Sequence, residues 1–300
     1  MNSWKGPALI ALASLGWATD ALFRDPLGKK LDPLWIVLLE HVMALTLLLV
    51  FSAFRYGRTL FSLTPKEWFS SFIIGAGGSG LATLLFTASF RDINPSVAIL
   101  LQKLQPIIVV LLAAVFLKER PVQGFLRWAT VALLAGLAIS FPDLDFKSLS
   151  DGKIDYHSRG VFYALSAAGI WAVSTVAGKH FVNNKPVLFV TFWRYVFGTV
   201  ALVILQSAAH LAIPFELSRQ TDTLLGLLYI TLIPGIASMV FYYWGLSQTS
   251  ASVATFAELL FPVAAVALNT VVLKTPLLPA QLFAGSILLY SVHRIAQLMK

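Results

Sequence analysis

The stretch AILLQKLQPIIVVLLAAVFLKERP (98–121) returns later in the chain as ATFAELLFPVAAVALNTVVLKTPL (254–277). Pro106 falls on Pro262, and Leu117-Lys118 on Leu273-Lys274, at one constant offset. Each copy is apolar over a length that crosses ~30 Å of hydrocarbon as a helix. Working outward, the echo widens. SLGWATDALF (14–23) is answered by AAGIWAVSTVAGK (167–179), and each is followed by an apolar run led by proline, Pro33 in one case and Pro186 in the other. Membrane-length helices that come twice are the layout of a carrier built from two repeats, with the cargo path where the repeats meet.

Composition agrees with a bilayer as solvent. Hydrophobic residues make up 58% of the 300-residue chain and charged residues 12%, against about a quarter charged in soluble domains. Mean hydropathy is +0.79. In lipid the backbone satisfies its own hydrogen bonds, in helices or closed barrels. The runs here are far longer than the ~10-residue alternating strands of a barrel, so helices are expected. The formal charge of +8 is spread over short loops rather than gathered on one face, which argues against nucleic acid and for contact with anionic lipid. With no cysteine there is no disulfide framework. The first apolar run is interrupted by Trp17 and Asp20 and lacks a clear cleavage site, so it reads as a retained helix.

The expected fold is all-α and integral to the membrane, with ten transmembrane helices in two inverted five-helix repeats around a central cavity. The spans are about Pro7–Phe23, Leu34–Phe54, Trp68–Phe90, Pro95–Leu117 and Gly124–Phe141, then Gly160–Val182, Val187–Ala209, Leu224–Leu246, Ser252–Leu273 and Pro279–Ala296. Residues 1–141 and 159–300 form the two halves, joined by the polar linker 142–158. Five crossings leave the chain on the far side, so the second half starts inverted. Loop 55–66 has three basic residues and its counterpart 210–222 has one; loop 118–127 also has three and its counterpart 274–279 one. Both pairs put the N- and C-termini in the cytoplasm.

These residues resemble the drug/metabolite transporter superfamily, in its EamA-type ten-helix branch. The resemblance covers nearly the whole chain. It rests on the small-residue-plus-Trp helices (LGWATDALF; AGIWAVSTVAGK), on FWRYVFG (192–198), and on the proline-containing helix that ends LLAAVFLKERP. It implies a carrier of the bacterial inner membrane that exports small metabolites, amino acids or drugs among them. One departure stands out. Arg194 lies eight residues after Pro186, and the matching position after Pro33 is His41, preceded by Glu40.

Ionised groups cost about 2.5–3.5 kcal/mol each inside a bilayer on insertion scales, so each needs a reason. The spans hold Asp20, Glu40, His41, Lys103, Arg194 and Glu258. Glu258 sits four residues before Pro262, as Gln102 sits four before Pro106. Proline frees a carbonyl about one turn upstream, beside these polar groups. On one reading Glu258 takes a proton or the amine of a substrate while the Gln102/Lys103 face takes its carboxylate. On the other, Glu258 and Arg194 form a fixed ion pair. Asp20, near the end of its run, is either a solvated helix end or a gate. Glu40 and His41 form a proton relay or pack as hydrogen-bonded residues. Trp17 and Trp171 are repeat mates, and Tyr242, Tyr243 and Trp244 match Phe86, Thr87 and Ala88. Together these aromatics are candidates for a cavity floor.

The function expected is secondary active export of small metabolites, amino acids or related amphipathic compounds among them, by alternating access. The partners are the substrate, the lipid bilayer and protons; no nucleic acid, cofactor or metal is expected. No Walker-type stretch is present. Two alternatives stay open: a non-transporting receptor or scaffold, and a membrane-embedded lipid enzyme, which would need clustered nucleophiles or metal ligands.

Overall fold

Three helices begin the same way, with a capping residue followed by proline. Asp32, Thr64 and Asn94 each accept a hydrogen bond from a first-turn backbone N–H, and Pro33, Pro65 and Pro95 follow them. Proline there lacks an N–H that would have no helical partner anyway, so local chemistry sets these helix starts before any packing. At Thr64 the cap is reciprocal, with Glu67 accepting from the Thr64 N–H.

The computed structural model describes residues 5–116, 123–140, 156–212, 214, 220–248, 257–258 and 260–298; among these the chain is helical, with no strand. The helices are α1 (Lys5–Ala18), α2 (Asp20–Gly28), α3 (Pro33–Tyr56), α4 (Pro65–Phe72), α5 (Ala82–Ser89), α6 (Pro95–Gln102) and α7 (Gln105–Phe116). They continue with α8 (Phe125–Ser140), α9 (Tyr156–Asn184), α10 (Val187–Ala209), α11 (Thr221–Ile230), α12 (Ser238–Ser247), α13 (Leu260–Leu268) and α14 (Pro279–Leu298). Wider π-type turns join α4 to α5 (Ile73–Leu81) and α11 to α12 (Thr231–Ala237). Among the described residues six stretches are long and apolar enough to cross a membrane: Lys5–Gly28, Pro33–Phe61, Pro65–Ser89, His157–Gly178, Val187–Ala209 and Thr221–Ser247. Pro95–Val109, Phe125–Ile139 and Leu260–Leu273 are apolar but shorter. The LKERP turn (117–121), linker residues 142–155 and the start of the expected ninth span (252–256) lie outside the described residues.

Two segments depart from the sequence expectation. The first span does not end at Phe23: it bends at Thr19, whose hydroxyl donates to Gly16 O at 2.7 Å, and runs on to Gly28. Asp20 is therefore interior to the span rather than near its end, and Arg24 is a buried span residue rather than a loop cation. The fourth span is broken at Lys103-Leu104 between α6 and α7. Pro106 has no N–H for the carbonyl of Gln102, and the helix opens one turn before it.

The two halves meet by reciprocal contacts. Trp17 Nε1 donates to Pro234 O at 3.0 Å, and its repeat mate Trp171 donates to Gly78 O at 2.8 Å. The Trp17 ring lies 5.2 Å from Tyr242, and the Trp171 ring 5.2 Å from Phe86; Tyr242 and Phe86 are themselves mates. Thus α1 packs on α12 as α9 packs on α5. Both acceptor carbonyls sit in the π-type turns, where the wider winding disturbs the usual i→i−4 ladder. Glycines let the first of these turns approach its neighbours. A Cβ at Gly75 would stand 2.7 Å from Arg194 O, and one at Gly78 2.6 Å from Ser174 Cβ. Outside, the bundle is oily: Phe54 is 90% and Phe283 71% exposed, a surface suited to lipid tails.

Candidate functional site

A cavity of about 190 Å³ opens between the halves, lined from both. Its wall holds three carboxylates (Asp20, Glu40, Glu258), three cations (Arg24, Lys103, Arg194) and His41. The structure therefore brings together residues from α1, α2, α3, α10 and both proline-bearing segments. Of the sequence candidates, Gln102, Trp17, Trp171, Tyr242 and Tyr243 also line it. Trp244 does not. It is 52% exposed and turns outward while Tyr243 is buried. Successive helical residues point about 100° apart, so three in a row cannot all face one cavity.

Arg24 is the residue the sequence reading missed. Its Nε and Nη2 donate to the two oxygens of Asp20 at 2.6 and 2.8 Å, its Nη2 also reaches Glu40 at 2.9 Å, and Nη1 donates to Thr87 Oγ1 at 3.2 Å. One guanidinium thus bridges two carboxylates on different helices with almost no solvent access. The signal was present: Asp20 and Arg24 are four apart, the spacing of an intrahelical ion pair. Arg24 falls just outside the first expected span, which is drawn to Phe23. Ser79 and Thr83 were missed as well; with Thr87 they form an i, i+4 polar row beginning in the glycine stretch.

His41 has both ring nitrogens engaged. Nδ1 lies 2.8 Å from Val37 O and Nε2 2.9 Å from Ser79 Oγ. The carbonyl can only accept, so Nδ1 carries a proton and donates it; in the neutral ring Nε2 accepts from the serine hydroxyl. Both ring nitrogens thus have partners inside the protein, and the Glu40 carboxylate next in sequence accepts from Arg24.

Glu258 and Arg194 are not the fixed ion pair considered from sequence. Arg194 donates instead to Tyr243 Oη at 3.3 Å and Gly78 O at 3.2 Å, and its Nε has no partner. The Tyr242 hydroxyl reaches the Glu258 carboxyl, and Lys103 acts on the same carboxyl electrostatically. The Lys103 ammonium sits 4.7 Å from the centre of the Phe261 ring, a cation–π contact, and the side chain is 8% exposed. The Gln102 Oε1 is buried without a partner, while Gln105 Nε2 donates to Thr175 Oγ1 at 3.0 Å. Chemically the cavity offers a mixed-sign polar lining with aromatic rings (Trp17, Tyr242, Phe261) set against it.

Comparison with known proteins places this geometry in a lineage. The profile of the EamA-like transporter family matches residues 4–141 and again 158–295. The chain is similar to the Riboflavin transporter ImpX of Fusobacterium nucleatum, at 27% identity over 99% of both chains. It is also similar to an uncharacterized transporter of Archaeoglobus fulgidus, at 25% identity over 86% of each. A protein of known crystal structure superimposes with a TM-score of 0.65 and 19% identity, covering 98% of this chain and 96% of that one, which is a likeness of fold.

Proposed function

The chain belongs to the EamA-like transporter family, is a multi-pass integral membrane protein, and from that premise we propose that it is a secondary carrier that exports small metabolites by alternating access. In this reading residues 1–141 and 159–300 are inverted repeats of five spans each, ten in all, with the termini in the cytoplasm and the protein in the bacterial inner membrane. Rocking one half against the other exposes the cavity to each side in turn. The single observation that carries the reading is the cavity itself: residues of both halves enclose it, and its carboxylates and cations face inward. Charges there need a polar partner, and a cargo that brings one gains affinity from it. The reciprocal Trp17–Pro234 and Trp171–Gly78 contacts support two halves of one design. A volume of about 190 Å³ suits a compact zwitterion such as an amino acid.

A flavin carrier is the second reading, favoured by the full-length similarity to a riboflavin transporter and by the aromatic wall. Proteoliposome flux separates them. Radiolabelled amino acids and riboflavin are offered to the reconstituted protein, with and without an imposed proton gradient. Saturable amino-acid flux supports the first reading, and riboflavin flux alone the second. A folded protein that carries nothing across a broad metabolite panel sinks both and returns the scaffold alternative.

A further inference from the structure

The cavity contains two buried arginines in opposite situations. Arg24 is saturated, spending three N–H groups on two carboxylates. Arg194 is 8% exposed, yet among the described residues no carboxylate lies within 4.0 Å of it, and its Nε points at nothing. A buried guanidinium with an unpartnered N–H has given up hydration without a full replacement.

Resting on the carrier reading, we infer that Arg194 and Tyr243 form an acceptor subsite that binds the oxygen-rich edge of a planar aromatic cargo, a carboxylate or the carbonyls of a cyclic imide. Three features of the geometry carry this. The Tyr243 hydroxyl accepts from Arg194 Nη1 at 3.3 Å and keeps its own proton to donate, so two donors converge. The guanidinium is held in place beforehand: Nη2 is tied to Gly78 O, and the Arg194 backbone is clamped against Gly75. A fixed planar fork matches the two oxygens of a carboxylate, which an ammonium does not; a cyclic imide, with an N–H between its carbonyls, offers the guanidinium one oxygen. The aromatic body then has a surface beside it, because Tyr243 adjoins Tyr242 at 5.8 Å between rings, and Tyr242 adjoins Trp17. Lys103 does not fill this role: its ammonium lies over the Phe261 ring at 4.7 Å, and an ammonium offers no planar fork. In this proposal Arg194, rather than the Gln102/Lys103 face, takes the carboxylate.

The test uses the purified full chain and matched ligand pairs. L-tryptophan is compared with tryptamine, which lacks the carboxylate, and riboflavin, whose ring ends in a cyclic imide, with proflavine, a planar tricycle without carbonyls. Binding is read by ligand-induced thermal stabilisation and flux in proteoliposomes. Wild type is expected to favour the acceptor-bearing member of at least one pair by about tenfold or more, the factor of roughly one charge-assisted hydrogen bond. The pair that shows it tells carboxylate from imide. R194K is expected to erase that preference. If R194K does not fold, Y243F is expected to reduce the preference severalfold. Equal affinity within both pairs in wild type overturns the subsite, as does a preference that survives R194K, or survives Y243F when R194K is lost. Flux that ignores the acceptor sinks the subsite and leaves the carrier reading standing, whereas absence of any flux sinks the carrier reading.

Discussion

Replacing Arg24 with glutamine removes the cation from between Asp20 and Glu40 at nearly constant volume. The side chains involved are 4%, 14% and 5% exposed, so water does not step into the gap. At an effective dielectric of about 20, a unit-charge pair at the Arg24–Glu40 separation attracts by roughly 6 kcal/mol gross. Most of that offsets the desolvation of the ions, and what counts is the state left behind: two carboxylates stranded inside a bundle. Removing one partner of a buried ionic network costs about 3–5 kcal/mol. R24Q is therefore expected to lose about that much in unfolding by SDS titration from mixed micelles. The double variant R24Q/E40Q is expected to be more stable than R24Q alone, because one stranded carboxylate has gone, with a coupling energy of about 1–3 kcal/mol in the cycle. R24K tests geometry, since a point charge cannot hold both carboxylates as a fork does. If R24Q unfolds at the wild-type SDS concentration, or the double variant is the sum of the singles, the network is not what holds α2 to α3 and the reasoning fails.

Glu258→Gln is expected to express normally while its flux, or the pH dependence of that flux, is impaired; normal transport at every pH removes Glu258 from coupling. Trp17→Phe and Trp171→Phe each keep an aromatic ring and delete one indole donor to a π-turn carbonyl, so each should cost about 1–3 kcal/mol, seen as a lower unfolding midpoint in detergent. Gly75→Ala drives a methyl group to within 2.7 Å of Arg194 O; overpacking of this kind costs about 1–3 kcal/mol, and an unchanged melting curve would contradict the clamp. Trp244→Leu faces outward and should alter stability by no more than about 0.5 kcal/mol, with flux kept; lost flux would return Trp244 to the cavity.

Much of the site was legible from local pattern. Glu258 and Gln102 stood out because each precedes a proline by one turn in an apolar run. Trp17 and Trp171 stood out because they occupy matching places in the echo, and the structure then joins each to the opposite half. What the chain alone could not give was direction and partnership. Trp244 reads like its neighbours until the helix turns it about 100° away from Tyr243.

Sequence by itself determined the solvent of this protein, its helices and its twofold echo, because hydropathy, proline and capping act within a few residues of each other. The tertiary structure decided which ionised groups meet. Arg24 carries the same charge whether it lies in a loop or in a span, and only the packing of α2 against α3 and α5 shows it bridging Asp20 and Glu40. The pairing of Arg194 is likewise a matter of packing: Glu258 and Arg194 could have neutralised one another as a sequence pair. In space the Glu258 carboxyl meets the Tyr242 hydroxyl, and the Arg194 guanidinium donates to Tyr243 and Gly78, with its buried Nε left without a partner. Coulomb's law depends on distance and burial, and neither is a property of sequence separation.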